Sequence, residues 1–247
     1  MIDRTLREKE WHNQTFGSDI RSPMKKYYSI NIDANKIFKE LLYKELDRHN
    51  IVLLDYGCGT GTGLIAIHDK ITIGMGIDIS EARIEKAKSM VKNKDIKNID
   101  FFVMDAMNTM FQNEPFDIIR GSAVLHHLEL KLCLNELKRI LKPTGKCFFK
   151  EPLNTNPLIF LYRKLTPYAR TKDEQPLRRK DIKMIKNVFP NMEIRYYSFF
   201  TLCAVPFRKS KYFSNIIKVL SFMDRIILRR GSPLKWLAWV CILTLKK

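Results

Sequence analysis

The stretch 51–63, IVLLDYGCGTGTG, decides the fold of this chain. It opens as an apolar run of the length expected for a strand that is buried on both faces. Glycines then occupy every second position, at Gly57, Gly59, Gly61 and Gly63. Glycine reaches backbone conformations that are closed to other residues, and without a Cβ atom it lets a ligand lie against the main chain. The pattern predicts a strand, a tight turn and a helix over 64–69, whose free N–H groups would face the same ligand.

Three acidic residues follow three successive strands of the predicted sheet. Asp55 ends the first strand, Asp78 ends an apolar run over 71–79, and Asp105 follows another over 100–104. In an open parallel sheet, ligands bind outside the carboxyl ends of the strands, so we expect these carboxylates to share a crevice. Any one of them alone could be a turn former, because Asp is common where strands end.

The glycine turn does not fit the NAD fingerprint G-x-G-x-x-G, because its third glycine position holds Thr62 or Leu64. It reads D-x-G-x-G-x-G from Asp55, which resembles the first motif of the class I methyltransferases that use S-adenosylmethionine (SAM). Two later stretches, SAVLHHL at 122–128 and RILKPTG at 139–145, resemble the methyltransferase type 11 group of that family, which includes quinone-biosynthesis enzymes.

The resemblance implies an α/β fold with a Rossmann-like, doubly wound sheet of seven strands, mostly parallel with an antiparallel last strand. In a single domain, residues 36–152 would form the SAM-binding core and 1–35 an N-terminal flap. Residues 153–235 would form a helical substrate lid and insertion with the sixth strand, and 236–247 the final strand. The implied cofactor is SAM, with S-adenosylhomocysteine as its product.

Cofactor contacts carry over from the family to the matching positions of this chain. The glycine turn with Asp55 would hold the methionine part, Asp78 the ribose, and Asp105 with Ala106 the adenine. The predicted cofactor-binding residues are Asp55, Gly57, Cys58, Gly59, Gly61, Asp78, Ile79, Asp105, Ala106, Gly121 and Ser122.

Methyl transfer from a sulfonium mainly requires alignment, so no metal is expected. A general base helps when the acceptor is a hydroxyl, a phenol or an acidic carbon. His126 and His127 follow the fourth strand, where the methyl group should point, and Glu151 after the fifth strand is the next candidate. The alternative for either histidine is that its ring is packed or caps a helix.

Four residues are predicted to bind the acceptor: Tyr27, Tyr28, Arg163 and Arg170. The tyrosines belong to the predicted flap and would otherwise pack against the core. The arginines follow the fifth strand and could clamp a carboxylate or phosphate. Alternatively, arginines of this segment pair with the loop acids at 173, 174 and 181.

Composition limits the remaining function classes. Five scattered cysteines without a C-x-x-C pair argue against a disulfide framework or zinc site and favour the cytoplasm. No Asn/Asp-Pro-Pro-Tyr/Phe motif follows the fourth strand, which argues against a DNA amino-methyltransferase. The net charge of +18 favours anionic partners, unless it only reflects solvated lysines. The basic amphipathic helix predicted over 212–230 suits either a membrane surface or a lid packed on its own domain.

The leading hypothesis is therefore a methyltransferase acting on a small molecule, such as a natural-product, glycan or quinone-like precursor. The second hypothesis is a methyltransferase that acts on RNA or on a membrane-associated anionic acceptor. Of these two acceptors, nucleic acid is the less favoured. A SAM-binding protein without turnover is the third. The sequence leaves the oligomeric state and any peripheral contact with a membrane open.

Overall fold

The computed structural model describes residues 4–17, 27–169, 171, 173–229 and 231–247. Within them, seven strands form a single sheet. The strands are β1 (Val52–Tyr56), β2 (Ile73–Asp78), β3 (Ile99–Val103), β4 (Phe116–Ser122), β5 (Leu141–Pro152), β6 (Glu193–Tyr197) and β7 (Val240–Lys246). Their spatial order is β3-β2-β1-β4-β5-β7-β6, and β7 runs antiparallel to both of its neighbours. The other pairs are parallel, which confirms the predicted fold class.

Helices connect the strands and cover both faces of the sheet. The described α-helices are α1 (Arg4–Gln14), α2 (Ile32–Leu46), α3 (Thr62–Ile65), α4 (Glu81–Asn93), α5 (Leu130–Ile140), α6 (Pro157–Leu165), α7 (Arg179–Val188) and α8 (Phe213–Ile227). Among the described residues, no helix combines the length and apolar character that crossing a bilayer requires.

The core lies in two layers, one on each side of the sheet. Leu53 and Leu54 of β1 are both fully buried, yet they belong to different hydrophobic clusters, because successive side chains of a strand point to opposite faces. One cluster includes residues of α5 and α7, and the other includes residues of α2, α4 and α8. A strand covered on both faces reads as a continuous apolar run, which is why β1 is visible in the sequence.

Several predicted elements differ from the structure. The sequence analysis assigned no bounds to helix α1 within the predicted flap, because its inward face is polar: Glu8 and His12 are 5% and 8% exposed. The helix after the glycine turn spans only Thr62–Ile65, and a 3-10 turn at His68–Lys70 replaces the rest of the predicted helix over 64–69. The last strand begins at Val240, because the preceding segment Pro233–Leu237 is a 3-10 helix.

Candidate functional site

A cavity of about 480 Å³ lies at the carboxyl ends of β1 to β4, with helix α1 along one side. The strand order reverses between β1 and β4, and open α/β sheets bind their ligands at such a switch point. The cavity brings together most of the predicted cofactor residues. Its lining includes Gly57, Cys58, Gly59, Asp78, Ile79, Asp105, Ala106 and Ser122, together with His127.

The turn after β1 depends on glycines with left-handed backbones. Gly57 has a φ of +70°, and a Cβ atom there would lie 2.5 Å from a methyl carbon of Val124. Gly59 has a φ of +55°, and a Cβ atom there would meet no atom of the described residues within 4 Å. Since Gly59 lines the cavity, that methyl group would occupy cavity space. The first glycine therefore allows close packing, and the second keeps the cavity open.

The carboxylate of Asp78 links the end of β2 to this turn. Its Oδ2 accepts a hydrogen bond from the Gly59 N–H at 2.9 Å, and its Oδ1 accepts one from the Ser80 N–H at 3.0 Å. A carboxylate has about four lone-pair sites, so both oxygens can accept further hydrogen bonds from the cavity. The side chain can thus receive a pair of neighbouring hydroxyls, as a ribose offers.

Local hydrogen bonds also fix the loop after β3. The Asp105 Oδ1 accepts from the Met107 N–H at 2.8 Å, and its Oδ2 accepts from the Thr5 hydroxyl of α1 at 3.4 Å. The hydroxyl of Tyr56, a fully buried side chain, donates to the Ala106 carbonyl. Asp105 and Ala106 therefore face the cavity in a fixed orientation.

Polar contacts hold helix α1 against the cavity. The Ser80 hydroxyl donates to the Asn13 Oδ1 at 2.6 Å. The Arg83 guanidinium donates to the His12 Nδ1 at 3.0 Å. Ser80 and Arg83 lie at the start of α4, which directly follows the strand that carries Asp78. A ligand held at Asp78 would therefore lie beside α1.

These features fit SAM, the cofactor that the sequence resemblance implies. The open Cβ position at Gly59 leaves room beside the main chain, where the methionine part would lie. The remaining acceptor capacity of Asp78 suits ribose hydroxyls, and a carboxylate at Asp105 suits the exocyclic amine of adenine. The volume of about 480 Å³ lies within the usual range for small-molecule sites.

A second cavity of about 300 Å³ adjoins the first, and Ser122 and Ala123 line both. Ala123 has a φ of +58°, which costs a residue other than glycine about 1–2 kcal/mol. Backbone strain of this kind is concentrated at functional sites. The second cavity is also lined by Tyr28, Asn35, His126, Lys150, Glu151, Ile159, Arg163, Glu174 and Trp239.

Glu151 orients His126 at the wall of the second cavity. Its Oε1 accepts from the N–H groups of Val124 and Leu125 at 2.9 and 3.0 Å, and its Oε2 lies 2.7 Å from the His126 Nδ1. Glu151 is 1% exposed. Where the Glu151 oxygen accepts this hydrogen bond, Nδ1 carries the ring proton, and in the neutral ring Nε2 is then the acceptor. These hydrogen bonds tie the His126 ring, through Glu151, to the backbone of residues 124 and 125.

His127 lies on the wall of the first cavity beside Glu8 of α1. The Glu8 Oε2 lies 3.0 Å from the His127 Nδ1 and 3.5 Å from the His12 Nε2. Burial and the neighbouring ring of His126 lower the pKa of His127 to about 4, although Glu8 acts in the opposite sense. Burial alone would raise the pKa of Glu8, but its contacts with His12 and His127 bring that pKa below its ordinary value. His127 is therefore a neutral ring at neutral pH, beside a charged carboxylate.

Two sets of side chains place possible metal ligands within 4.8 Å of one another, although the sequence predicted no metal site. One is Glu8, His12 and His127, and the other is His126, His127 and Glu174. In the first set, the His12 Nδ1 accepts a hydrogen bond from Arg83. Since arginine keeps its positive charge, it opposes a second cation at that point.

Lys150 places an amine in the second cavity. Its Nζ donates to the Asn35 Oδ1 at 2.6 Å, and burial and the charge of Arg120 lower its pKa. Arg163 also lines this cavity, but its Nη1 is paired with the Glu174 Oε1 at 2.6 Å. That pairing matches the alternative in which the arginines stabilise a loop. Arg170 lies outside the described residues.

Four of the predicted site residues that the structure describes line neither cavity: Asp55, Gly61, Gly121 and Tyr27. Asp55 is buried, and its Oδ1 is 3.4 Å from the Arg120 Nε. A Cβ atom at Gly61 would meet the ring of Phe101, and one at Gly121 would meet that of Phe149, so both glycines allow close packing. The ring of Tyr27 packs at 4.7 Å from that of Tyr162, whereas Tyr28 lines the second cavity.

Among the cavity residues that sequence reasoning missed are Glu8, His12, Lys150 and Trp239. Glu8 and His12 are four positions apart, which places both on one face of a helix. That spacing was the available signal. Lys150 ends an apolar strand immediately before Glu151, but no local pattern shows that it faces a cavity.

Comparisons with known proteins agree with this geometry. A family model described as "Methyltransferase domain" matches residues 47–200 of the 247. The demethylmenaquinone methyltransferase of Staphylococcus saprophyticus is 29% identical over 161 residues, 59% of this chain and 68% of that protein. The aklanonic acid methyltransferase DauC of a Streptomyces species is 32% identical over 120 residues, 47% of this chain and 54% of that protein.

A solved structure extends the likeness to the whole fold. The phosphoethanolamine N-methyltransferase 2 of Haemonchus contortus, in complex with phosphomonomethylethanolamine and S-adenosylhomocysteine, superposes with a TM-score of 0.63. The match covers 100% of this chain and 60% of that one, at 16% identity, which shows the fold alone. With the family model matching more than half of its length, this chain belongs to the methyltransferase domain family and has the class I SAM methyltransferase fold.

Proposed function

We propose that this protein is a SAM-dependent methyltransferase that transfers a methyl group to an oxygen, nitrogen or carbon atom of a small molecule in the second cavity. The junction of the two cavities at Ser122 and Ala123 carries this proposal. Carboxylates that can accept hydrogen bonds from adenosine lie on one side of the junction. The imidazole of His126, held by Glu151, lies on the other. The methyl group would pass between the ligands at this point.

The first cavity provides cofactor binding and orientation. Asp78 would hold the ribose, Asp105 and Ala106 the adenine, and the turn at Gly57 and Gly59 the methionine part. Bound SAM supplies a methyl group that is already on a good leaving group. The chain therefore has to align the acceptor and exclude water, and alignment accounts for much of the acceleration in such reactions. Helix α1 contributes by covering the cavity.

The second cavity favours a planar acceptor that carries an oxygen. Its wall includes the rings of Tyr28 and Trp239, whose planes are 15° apart with centroids separated by 6.5 Å. Lys150 adds an amine that can bind a phenolate, carboxylate or carbonyl oxygen. Phenols, quinols and aromatic acids share these features. The relatives named for demethylmenaquinone and aklanonic acid support this acceptor class.

His126 is the better placed of the two candidate bases. Glu151 holds its Nδ1, so Nε2 is the ring nitrogen that would take a proton from an acceptor hydroxyl. His127 lines the cofactor cavity beside Glu8 and would instead shape the wall next to the transferred group. Glu151 would act through His126 as its positioning residue.

The experiment measures transfer of a labelled methyl group from SAM to a panel of phenols, quinols and aromatic acids. The His126→Gln variant should bind S-adenosylhomocysteine as the wild type does and transfer the label at least about 100-fold more slowly. His49→Gln, a change at an exposed histidine, is the matched control and should keep the wild-type rate.

Three results would count against the proposal in different ways. A chain that binds no SAM at millimolar concentration is not a SAM-dependent enzyme. Equal rates in His126→Gln and the wild type would remove His126 as the base. Binding of SAM without transfer to any acceptor of the panel would favour a SAM-binding protein without turnover.

A further inference from the structure

Helix α8 carries apolar side chains on its outer face as well as its inner one. Val219, Phe222, Met223 and Ile226 are exposed by 61%, 59%, 37% and 53%. Their spacing of three, four and seven positions places them on one side of the helix. The inner side carries Ile217, which is 4% exposed and belongs to the core. The outer stripe is therefore not needed to pack α8 on the described domain.

Helix α6 repeats this arrangement. Leu158, Leu161 and Leu165 are exposed by 55%, 54% and 69%, whereas Ile159 is 4% exposed. Ile159 belongs to the same core cluster as Ile217 of α8, so both helices pack on the same side of the sheet. Two helices of the predicted lid region thus present apolar stripes to solvent. Apolar side chains grouped on an exposed helix face, rather than scattered singly, are typical of an interaction site.

The charges around these stripes have one sign. The exposed charged residues of the segments 157–168 and 207–229 are Lys164, Arg208, Lys209, Lys211, Lys218, Arg225 and Arg229. The one acidic residue in these segments, Asp224, is 4% exposed and accepts hydrogen bonds from the N–H groups of Phe199 and Phe200. Asp33 of α2 lies 3.6 Å from Arg225. Both segments therefore show apolar and cationic groups without an exposed carboxylate of their own.

We propose that the outer faces of α6 and α8 dock on the surface of an anionic lipid bilayer. Apolar side chains flanked by Lys and Arg suit the boundary between headgroups and acyl chains, where both kinds of group are satisfied. RNA would account for the cations but not for exposed leucine and phenylalanine. A second copy of this chain would bring two cationic faces together, and like charges oppose that contact.

The docking face lies beside the second cavity. Ile159 and Arg163 of α6 line that cavity, while Leu158, Leu161 and Leu165 of the same helix point to solvent. On the basis of the proposed function, this position suits an acceptor that is dissolved in the membrane and enters the cavity from the bilayer. Docking itself does not depend on methyl transfer and is tested separately.

The test is co-sedimentation of the full chain with vesicles of neutral phosphatidylcholine, with and without about 30% phosphatidylglycerol. The variants are Phe222→Ser with Ile226→Ser, and Leu161→Ser with Leu165→Ser. The control is Met110→Ser with Leu132→Ser, because these residues are 84% and 46% exposed and Leu132 lies on α5, across the sheet. All three double variants keep the net charge.

We expect the wild type and the control to bind anionic vesicles, and to bind neutral vesicles at least about tenfold more weakly. Each stripe variant should bind anionic vesicles at least about tenfold more weakly than the control. Since the replaced side chains are exposed, the affinity for S-adenosylhomocysteine should not change. A wild type that does not bind S-adenosylhomocysteine would count against the proposed function, whatever the vesicle experiment shows.

Three outcomes would overturn the docking proposal. In the first, the stripe variants sediment with vesicles as well as the control does. In the second, the wild type binds neutral and anionic vesicles equally. In the third, the wild type is a dimer without vesicles, does not bind them, and is split into monomers by the stripe substitutions. A second copy would then cover this face.

Discussion

Replacing Gly59 with alanine should weaken cofactor binding much more than it weakens the fold. The added Cβ meets no atom of the described residues within 4 Å. The free energy of unfolding should therefore fall only by the cost of a left-handed alanine, about 1–2 kcal/mol. In a chain of this size the melting temperature should fall by about 2–8 °C. The methyl group occupies cavity space, and overpacking of this kind costs about 1–3 kcal/mol, or about 5- to 150-fold in affinity.

Isothermal titration with S-adenosylhomocysteine and a melting curve measure these two effects. Gly17→Ala is the matched control: its φ is +79°, an added Cβ also meets no described atom within 4 Å, and it does not line the cavity. The melting temperature of the control should fall by the same amount as that of Gly59→Ala, and its affinity for S-adenosylhomocysteine should stay at the wild-type value. Equal affinities of Gly59→Ala and Gly17→Ala would refute the assignment of the glycine turn to the cofactor.

Three further predictions concern the rest of the site. The pKa of His127 is about 4 in the folded chain against an ordinary 6.5, so the unfolded chain binds more protons between these values. The free energy of unfolding should fall by up to about 3 kcal/mol as the pH drops through this range, and urea unfolding of His127→Gln should lack that part of the slope. Lys150→Met should raise the acceptor KM at least about tenfold in steady-state kinetics and leave the affinity for S-adenosylhomocysteine unchanged; an unchanged KM would show that the amine does not contact the acceptor. S-adenosylhomocysteine should slow amide hydrogen exchange over Arg4–Gln14 about tenfold or more, and unaltered exchange would show that α1 does not cover the cofactor.

The sheet was predictable because its central strands are buried on both faces. Residues such as Leu53 and Leu54 are apolar whichever face they point to, so the strand stands out as a run. Asp78 and Asp105 follow such runs, and parallel pairing alone then brings them to one cavity. Local sequence was sufficient for this part of the site.

The helices around the site were less predictable, because periodicity shows which residues share a face but not what that face meets. The inward face of α1 is polar, so Glu8 and His12 gave no apolar period. Helix α8 is apolar over most of its circumference. The sequence analysis found its amphipathic character, but not that Phe222 and Ile226 point outward.

Candidate bases were found by position, but their partners were not. His126 and His127 are adjacent in the sequence, yet one is held by Glu151 of β5 and the other lies beside Glu8 of α1. These contacts join distant parts of the chain. No local pattern distinguishes the two rings, so the sequence could not show which one faces the second cavity.

The measurement that tests the account most directly is a crystal structure of the complex with S-adenosylhomocysteine. We predict the ribose hydroxyls on Asp78, the adenine beside Asp105 and Ala106, and the sulfur directed to Ser122 at the junction of the two cavities. Failure to bind at millimolar concentration, or a ligand bound outside the cavity at the ends of β1 to β4, would contradict it.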